Sequence, residues 1–116
     1  MTVTIYGITT CDTVRKARTW LDQKGITYHF HDFRKDGLDA ARLGGWLDGL
    51  GWETVLNRAG TSFRALPEAE RTGLDRDKAA ALILANPTLV KRPVLDADGR
   101  VTVGFKPDTY AALFSR

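Results

Sequence analysis

The opening of the chain constrains its fold most, because its side-chain pattern changes from strand to helix and back within about 33 residues. Residues 2–6 alternate in the way typical of a strand, which ends at a glycine. A helix is predicted next, with Thr9 or Thr10 as its N-cap and Gly25 as its stop. Residues 26–33 alternate again and predict a second strand. Two strands joined by one helix form a parallel pair with a right-handed crossover.

The middle of the chain predicts a block of helices. Asp39 is the expected N-cap of a helix whose apolar residues recur at positions i, i+3, i+4 and i+7. Shorter helical pieces are predicted at residues 52–56 and from Pro67 onward. Asp75 is expected to cap an alanine-rich helix that ends before the Asn-Pro pair at residue 86.

The last third of the chain predicts a hairpin and a closing helix. Residues 93–96 and 100–103 are expected to be short strands, and the Asp98-Gly99 pair between them is a strong hairpin signal. Pro107 is expected to open the last helix. The order of elements therefore predicts an α/β protein of thioredoxin-like fold, residues 1–116 as one domain. Its mixed four-stranded sheet is flanked by helices, with a helical insertion at about 38–86, between the second and third strands.

Length, charge and cysteine count exclude several classes of protein. A chain of 116 residues can bury a core without disulfides, and its one cysteine rules out an intrachain disulfide scaffold. We expect no signal peptide and no membrane association, because no long apolar run is present, and we expect a cytoplasmic monomer. The net charge of +3 comes without a basic run, so nucleic acid is not an expected partner.

Cys11 is the candidate nucleophile, because it lies between the first predicted strand and the start of the first helix. Free N–H groups and the dipole at a helix N-terminus stabilise a thiolate, the reactive form of cysteine. Arg15, one turn further on, is expected to add positive charge. The hydroxyl of Thr13 is suited either to the sulfur or to the first turn, and the sequence leaves both open. The alternative interpretation of Cys11 is a buried thiol that packs in the core and does not react.

A second cysteine is missing at the position where a redox Cys-x-x-Cys motif would have one, since Val14 occupies it. No internal dithiol exchange is possible. A mixed disulfide at Cys11 therefore has to be resolved by an outside thiol.

Three segments further along carry cations suited to anions: Arg58, Arg92 and Lys106. A guanidinium offers a planar fork of donors to carboxylates and oxyanions, although an isolated arginine is more often an ordinary surface residue. The Arg92-Pro93 bond, before a predicted strand, is a candidate cis peptide. No metal and no bound cofactor are expected, because two histidines and one thiol make too small a ligand set.

Several of these segments together resemble the arsenate reductase (ArsC)-like family. They are residues 6–13, 16–17, 56–58 and 91–94. Residues 31–38 and 51–53 look closest to the YffB branch of that family, which is related to the Spx regulators. The resemblance implies a thioredoxin-like fold with a helical insertion and a cis bond before Pro93. It also implies that Cys11 is the nucleophile, with Arg58 and Arg92 as two of the three arginines that hold the oxyanion.

The third arginine of the family falls on Lys106, which is a departure. Lysine is a point charge without the bidentate fork, so the case for arsenate as substrate is weaker. The resemblance implies a glutathione-dependent thiol oxidoreductase, with glutathione as co-substrate and an oxidised thiol or oxyanion as substrate. The alternatives are a glutathione- or glutaredoxin-coupled arsenate reductase and a Spx-type regulator that binds RNA polymerase, although Spx proteins usually carry the Cys-x-x-Cys pair.

Overall fold

The predicted mixed sheet is confirmed in a computed structural model, which describes residues 1–115. Its four strands lie in the order β2-β1-β3-β4. They are β1 (Val3–Gly7), β2 (His29–Asp32), β3 (Val94–Ala97) and β4 (Arg100–Val103). β2 runs parallel to β1, whereas β3 is antiparallel to both β1 and β4. The parallel pair is the one that the opening strand–helix–strand pattern predicted.

The chain divides into two compact units. The first comprises Met1–Asp36 with the chain from Arg92 onward, and the second is Gly37–Lys91. The first unit holds the sheet with helices α1 (Asp12–Gln23), α2 (Phe33–Asp36) and α8 (Pro107–Phe114). The predicted insertion at about 38–86 falls inside the second unit. That the whole chain is one domain stays a prediction.

The second unit consists of short helices. They are α3 (Ala40–Leu50), α4 (Trp52–Val55), α5 (Thr61–Arg64), α6 (Glu68–Arg71), α7 (Arg76–Ala85) and a 3-10 helix at Pro87–Leu89. α3 contacts α4 and α7, and α7 also contacts the 3-10 helix. No helix among residues 1–115 is long and apolar enough to cross a membrane.

The core of the first unit lies on one face of the sheet. Residues two apart on β1 pack against residues four apart on α1, because side chains repeat every two residues on one face of a strand and about every four on one face of a helix. The members of this core, each at most 4% exposed, are Val3, Ile5, Ala17, Leu21, Leu95 and Tyr110. α1 and α8 are thereby fixed on the same face of the sheet.

Strands β1 and β3 each begin and end one residue later than predicted, and two boundaries differ in a way that side chains explain. The predicted N-cap at Thr9 or Thr10 is wrong, because Cys11 itself is the N-cap, with φ −85° and ψ 122°. The second strand is also shorter than predicted. Oδ1 of Asp32 accepts the N–H of Arg34 at 2.9 Å and so caps α2, which turns the chain out of the sheet at Phe33.

Other local predictions are confirmed, each where a side chain or a glycine decides the backbone. Asp39 accepts the N–H of Arg42 at 3.0 Å, and Asp75 accepts that of Lys78 at 2.8 Å, so both are N-caps. Gly25, with φ +70°, ends α1. The hairpin turns on a pair of residues with positive φ, +53° and +88°, at positions 98 and 99.

Gly7 at the end of β1 lets α1 approach closely. A Cβ built on Gly7 lies 2.6 Å from Cγ2 of Val14, and Val14 is fully buried. We therefore expect Gly7→Ala to lower the free energy of unfolding by about 1–3 kcal/mol through overpacking, measured in urea. Gly45→Ala is the matched control: its Cβ meets nothing within 4 Å in α3, so it is expected to gain about 0.5–1 kcal/mol.

The cause of that loss is tested by adding Val14→Ala, which removes the methyl groups that the new Cβ would meet. The loss in the Gly7→Ala, Val14→Ala double variant is expected to be clearly smaller than the sum of the two single losses. Additive losses would contradict the close approach as the cause.

Tyr110 is fully buried, and its hydroxyl has no hydrogen-bond partner within the described part of the chain. Burial raises the pKa of this phenol above its ordinary value. In the unfolded chain the phenol ionises near pH 10, whereas in the fold it stays protonated at that pH. Ionisation therefore favours unfolding, and this contribution to stability is lost as the pH rises above about 10.

Tyr110→Phe is expected to remove this alkaline decline and to raise the free energy of unfolding by about 1 kcal/mol near neutral pH, because it deletes an unpaired buried hydroxyl. Tyr28→Phe is the control, since the Tyr28 hydroxyl accepts a hydrogen bond from Nε of Arg18 at 3.2 Å. That control is expected to lose stability. Denaturant titrations at pH 7 and pH 10.5 measure both effects, and equal losses in both variants would contradict the assignment.

Candidate active site

Three connections of the first unit meet at one end of its sheet. Tyr6 pairs with Val94, and Val94 pairs with Val103, so the end of β1, the start of β3 and the end of β4 lie side by side. The N–H of Gly104 donates to the carbonyl of Pro93 at 2.9 Å and joins two of these connections directly. Cys11, Arg92 and Lys106 are carried by the three chain segments at this end.

Cys11 lies where β1 turns into α1. Its N–H donates to the carbonyl of Ile8 at 3.4 Å, and its carbonyl accepts the first helical hydrogen bond, from the N–H of Arg15 at 3.0 Å. The Cys11 side chain makes no capping hydrogen bond to the amides of this first turn, and Cys11 is partly exposed. The thiol is therefore accessible beside N–H groups that lack partners within the helix, which differs from the buried alternative.

Arg15 braces the turn before α1. Its guanidinium donates to the carboxylate of Asp12 and, at 3.3 Å, to the carbonyl of Thr9. The nearby carboxylate compensates the positive charge that was expected to act on Cys11. Arg15 thus supports the backbone of the cysteine loop.

The other predicted supporting residues take different positions. Pro93 is buried, and the bond between Arg92 and Pro93 is cis, as predicted. Thr13 is exposed, and its side chain forms no hydrogen bond within residues 1–115. Neither of the two uses left open for its hydroxyl is formed.

Two of the predicted anion-binding cations lie in the first unit with their charges uncompensated. Arg92 is partly exposed, and Lys106 is exposed as the N-cap of α8. Within residues 1–115 neither side chain forms an ion pair of 4.0 Å or less, in contrast to Arg15. Both are available to an anion.

Arg58 belongs to the second unit. It follows a segment held by two backbone hydrogen bonds, from the N–H of Asn57 to Leu89 at 2.8 Å and from the N–H of Lys91 to Val55 at 2.8 Å. Its exposed guanidinium lies 5.4 Å from the ring centroid of Trp52. Its role as an anion ligand stays a prediction.

A groove of about 420 Å³ in the first unit was not predicted. Six residues of α1 line it, together with one residue before α8 and the first residue of α8. The lining residues are Asp12, Arg15, Lys16, Thr19, Trp20, Gln23, Phe105 and Pro107. The only signal in the sequence is the polar spacing 12, 16, 19 and 23, which is also that of an ordinary solvated helix face. Among the described residues no group of three or more His, Cys, Asp or Glu side chains is placed to hold a metal.

Comparison with known proteins gives a family match over most of the chain. The model of the ArsC family matches residues 6–113. A solved structure described as a YffB protein is 54% identical and has a TM-score of 0.95, with 98% of this chain and 100% of that chain covered. An arsenate reductase (ArsC) related protein from Brucella melitensis is 55% identical with a TM-score of 0.79, with coverage of 100% and 97%.

Two further relatives align with nearly the whole chain. An uncharacterised protein from Haemophilus influenzae is 40% identical over 113 residues, which are 97% of this chain and 99% of that protein. A protein named global transcriptional regulator Spx, from Streptococcus mutans, is 27% identical over 116 residues, with 98% and 84% covered. The names of the relatives thus include both reductases and regulators.

Cys11 is an unusual N-cap, because serine, threonine, aspartate and asparagine are preferred at that position. We expect Cys11→Ser to raise the free energy of unfolding by about 0.5–1 kcal/mol, since a hydroxyl can accept an N–H of the first turn. The same change is expected to abolish labelling by a thiol reagent. Cys11→Ala is the control, because it removes the thiol without adding an acceptor. Equal stability of the two variants would contradict the uncapped first turn.

Proposed function

The chain belongs to the ArsC family, and from this premise we propose that it is a glutathione-dependent thiol oxidoreductase with Cys11 as its only nucleophile. The observation that carries the proposal is the partly exposed thiol at the uncapped start of α1. Free N–H groups and the helix dipole favour a negative charge at this position, and the thiolate is the form of cysteine that attacks disulfides.

The reaction consists of two thiol–disulfide exchanges. The Cys11 thiolate attacks the glutathione sulfur of a mixed disulfide, so that a Cys11–glutathione disulfide forms and the other thiol leaves as a thiolate that takes a proton from water. A second glutathione thiolate then attacks the glutathione sulfur on Cys11. Oxidised glutathione leaves, and the Cys11 thiolate is restored. In total, one free glutathione is consumed: it leaves as oxidised glutathione together with the glutathione half of the substrate, and the other half of the substrate leaves as a free thiol.

Reliance on an outside thiol follows from the residue at position 14. Val14 is fully buried and offers no second sulfur, and Cys11 is the only cysteine of the chain. Glutathione is the small thiol that we propose to fill this role. We place the activity in the cytoplasm, where the glutathione pool is kept reducing.

Arg92 and Lys106 are proposed to hold the anionic part of the substrate. Arg92 precedes β3 and Lys106 follows β4, at the strand ends that lie beside the end of β1. Neither side chain is in an ion pair within the described chain. A charge-assisted hydrogen bond to a carboxylate is about twice as strong as a neutral one. Arg58 is proposed for the same role on the family resemblance alone.

Arsenate reduction is the second candidate, favoured by the name of the Brucella melitensis relative. The family resemblance implies three arginines around the oxyanion, and the third of these positions is Lys106 in this chain. A lysine lacks the bidentate fork of an arginine. We expect arsenate turnover with glutathione to be slow and to increase in Lys106→Arg if arsenate binds there. No increase in the variant would exclude that position as an arsenate ligand.

The proposal predicts that oxidised glutathione converts Cys11 to a mixed disulfide, detected by mass spectrometry of the intact protein. Arg92→Ala is expected to slow this reaction about tenfold, the effect of losing about 1.4 kcal/mol of charge-assisted binding. Arg34→Ala is the control, because Arg34 is an exposed arginine on α2. A protein whose thiol stays unmodified, or reacts no faster than free cysteine, would refute the enzymatic proposal and favour the regulator.

A further inference from the structure

The groove beside Cys11 has the size and position of a site for a small ligand. Its volume of about 420 Å³ lies within the range of about 300–1,000 Å³ typical of such sites. One end is at Asp12, the residue that follows Cys11, and the groove continues along α1 to Gln23. At 1.5 Å per residue this length is about 16 Å, whereas an extended tripeptide spans at most about 11 Å.

The floor of the groove is apolar and firmly supported. Trp20 and Phe105 line it, and both are partly buried. Each packs edge-on against the ring of Tyr110, with centroid distances of 5.6 Å and 4.8 Å. Because Tyr110 is fully buried in the core, these two side chains are held in place before any ligand binds.

The rim of the groove carries a net positive charge. Asp12 and Arg15 compensate each other through their ion pair. Lys16 also lines the groove, so the charged lining residues sum to a net charge of +1, and Lys106 lies outside the lining. Within residues 1–115 neither lysine is in an ion pair. The complementary occupant is therefore a compact anion with a carboxylate for Lys16 and a less polar part for Trp20 and Phe105.

We propose that this groove binds a small anionic peptide thiol of about tripeptide length, disulfide-linked to Cys11, and that Lys16 determines the preference for anionic over neutral thiols. This inference rests on the proposed function, because it requires a disulfide at Cys11. It adds the place of the peptide and a role for Lys16 in specificity.

The groove also determines which half of a mixed disulfide stays on the protein. The half that fills the groove presents its sulfur to Cys11, and the bond forms there as the original disulfide bond breaks. The other sulfur leaves as a thiolate and takes a proton from water. An attack on the opposite sulfur would leave the carboxylates of the anionic half away from Lys16.

The test compares two disulfides that differ in charge: oxidised glutathione, and the neutral bis(2-hydroxyethyl) disulfide. In Lys16→Glu the rate constant with oxidised glutathione is expected to fall about tenfold, and the rate constant with the neutral disulfide is expected to change less than twofold. Lys35→Glu is the matched control. It makes the same charge change at an exposed position of α2 outside the groove, so it is expected to leave both rate constants within twofold.

A second variant tests the volume of the groove without a change of charge. Thr19 is exposed and lines the groove. Thr19→Phe is expected to lower the rate constant with oxidised glutathione at least threefold and to spare the neutral disulfide.

Each failure has its own meaning. If the unsubstituted protein reacts with neither disulfide faster than free cysteine does, the proposed function is wrong. If it reacts with both, and Lys16→Glu matches Lys35→Glu, the groove proposal is overturned and the proposed function stands. An equal loss with both disulfides in Lys16→Glu or Thr19→Phe would also overturn it, because the change would then act on Cys11 itself.

Discussion

The close approach of α1 to the end of β1 is the contact on which the candidate site depends. Gly7 has no side chain, and the methyl groups of Val14 occupy the space that a Cβ would need. This contact lies one helical turn after Cys11 and fixes the start of α1 against the strand. The direction of the first-turn N–H groups, and hence the electrostatic environment of the sulfur, follows from packing that involves no polar atom.

The sheet register then brings the segments that carry Arg92 and Lys106 to the same end of the sheet as Cys11. Antiparallel pairing of β3 with β1 and β4 brings three chain segments to the same end of the sheet, although they are far apart in the sequence. The hydrogen bond between Gly104 and Pro93 holds two of them together. Cations placed by backbone pairing in this way need no ion pair to fix their position, so their charges remain available.

The sequence was informative wherever one side chain or one turn decides the local backbone. Asp39 and Asp75 cap helices by accepting N–H groups three residues on, and the Asp98-Gly99 pair adopts the positive φ angles of a tight hairpin. α2, α5 and the 3-10 helix were not predicted, because segments of three or four residues are too short to show a helical period. The equally short α6 was predicted from the proline that precedes it. The N-cap was misplaced because the preference for hydroxyl residues pointed to the threonines, whereas the close approach at Gly7 starts the helix later.

The candidate site was predictable in part for the same reason. The position of Cys11 at a strand end and helix start is a local feature, and the structure has it there. The compensation of Arg15 by Asp12 depends on which of several rotamers each side chain adopts, and spacing does not decide that. The groove joins α1 to residues 105 and 107, which are 82–95 positions further along the chain, so only the fold brings its walls together.

The burial of Val14 has a consequence for how this chain can change over evolutionary time. A cysteine at that position would create a dithiol motif, but it would exchange a branched side chain in a filled space for an unbranched one and leave the space beside Gly7 partly empty. Packing thus opposes the acquisition of a second active-site thiol by a single substitution. If the proposed exchange reaction operates, a chain with this contact depends on the thiols of its surroundings.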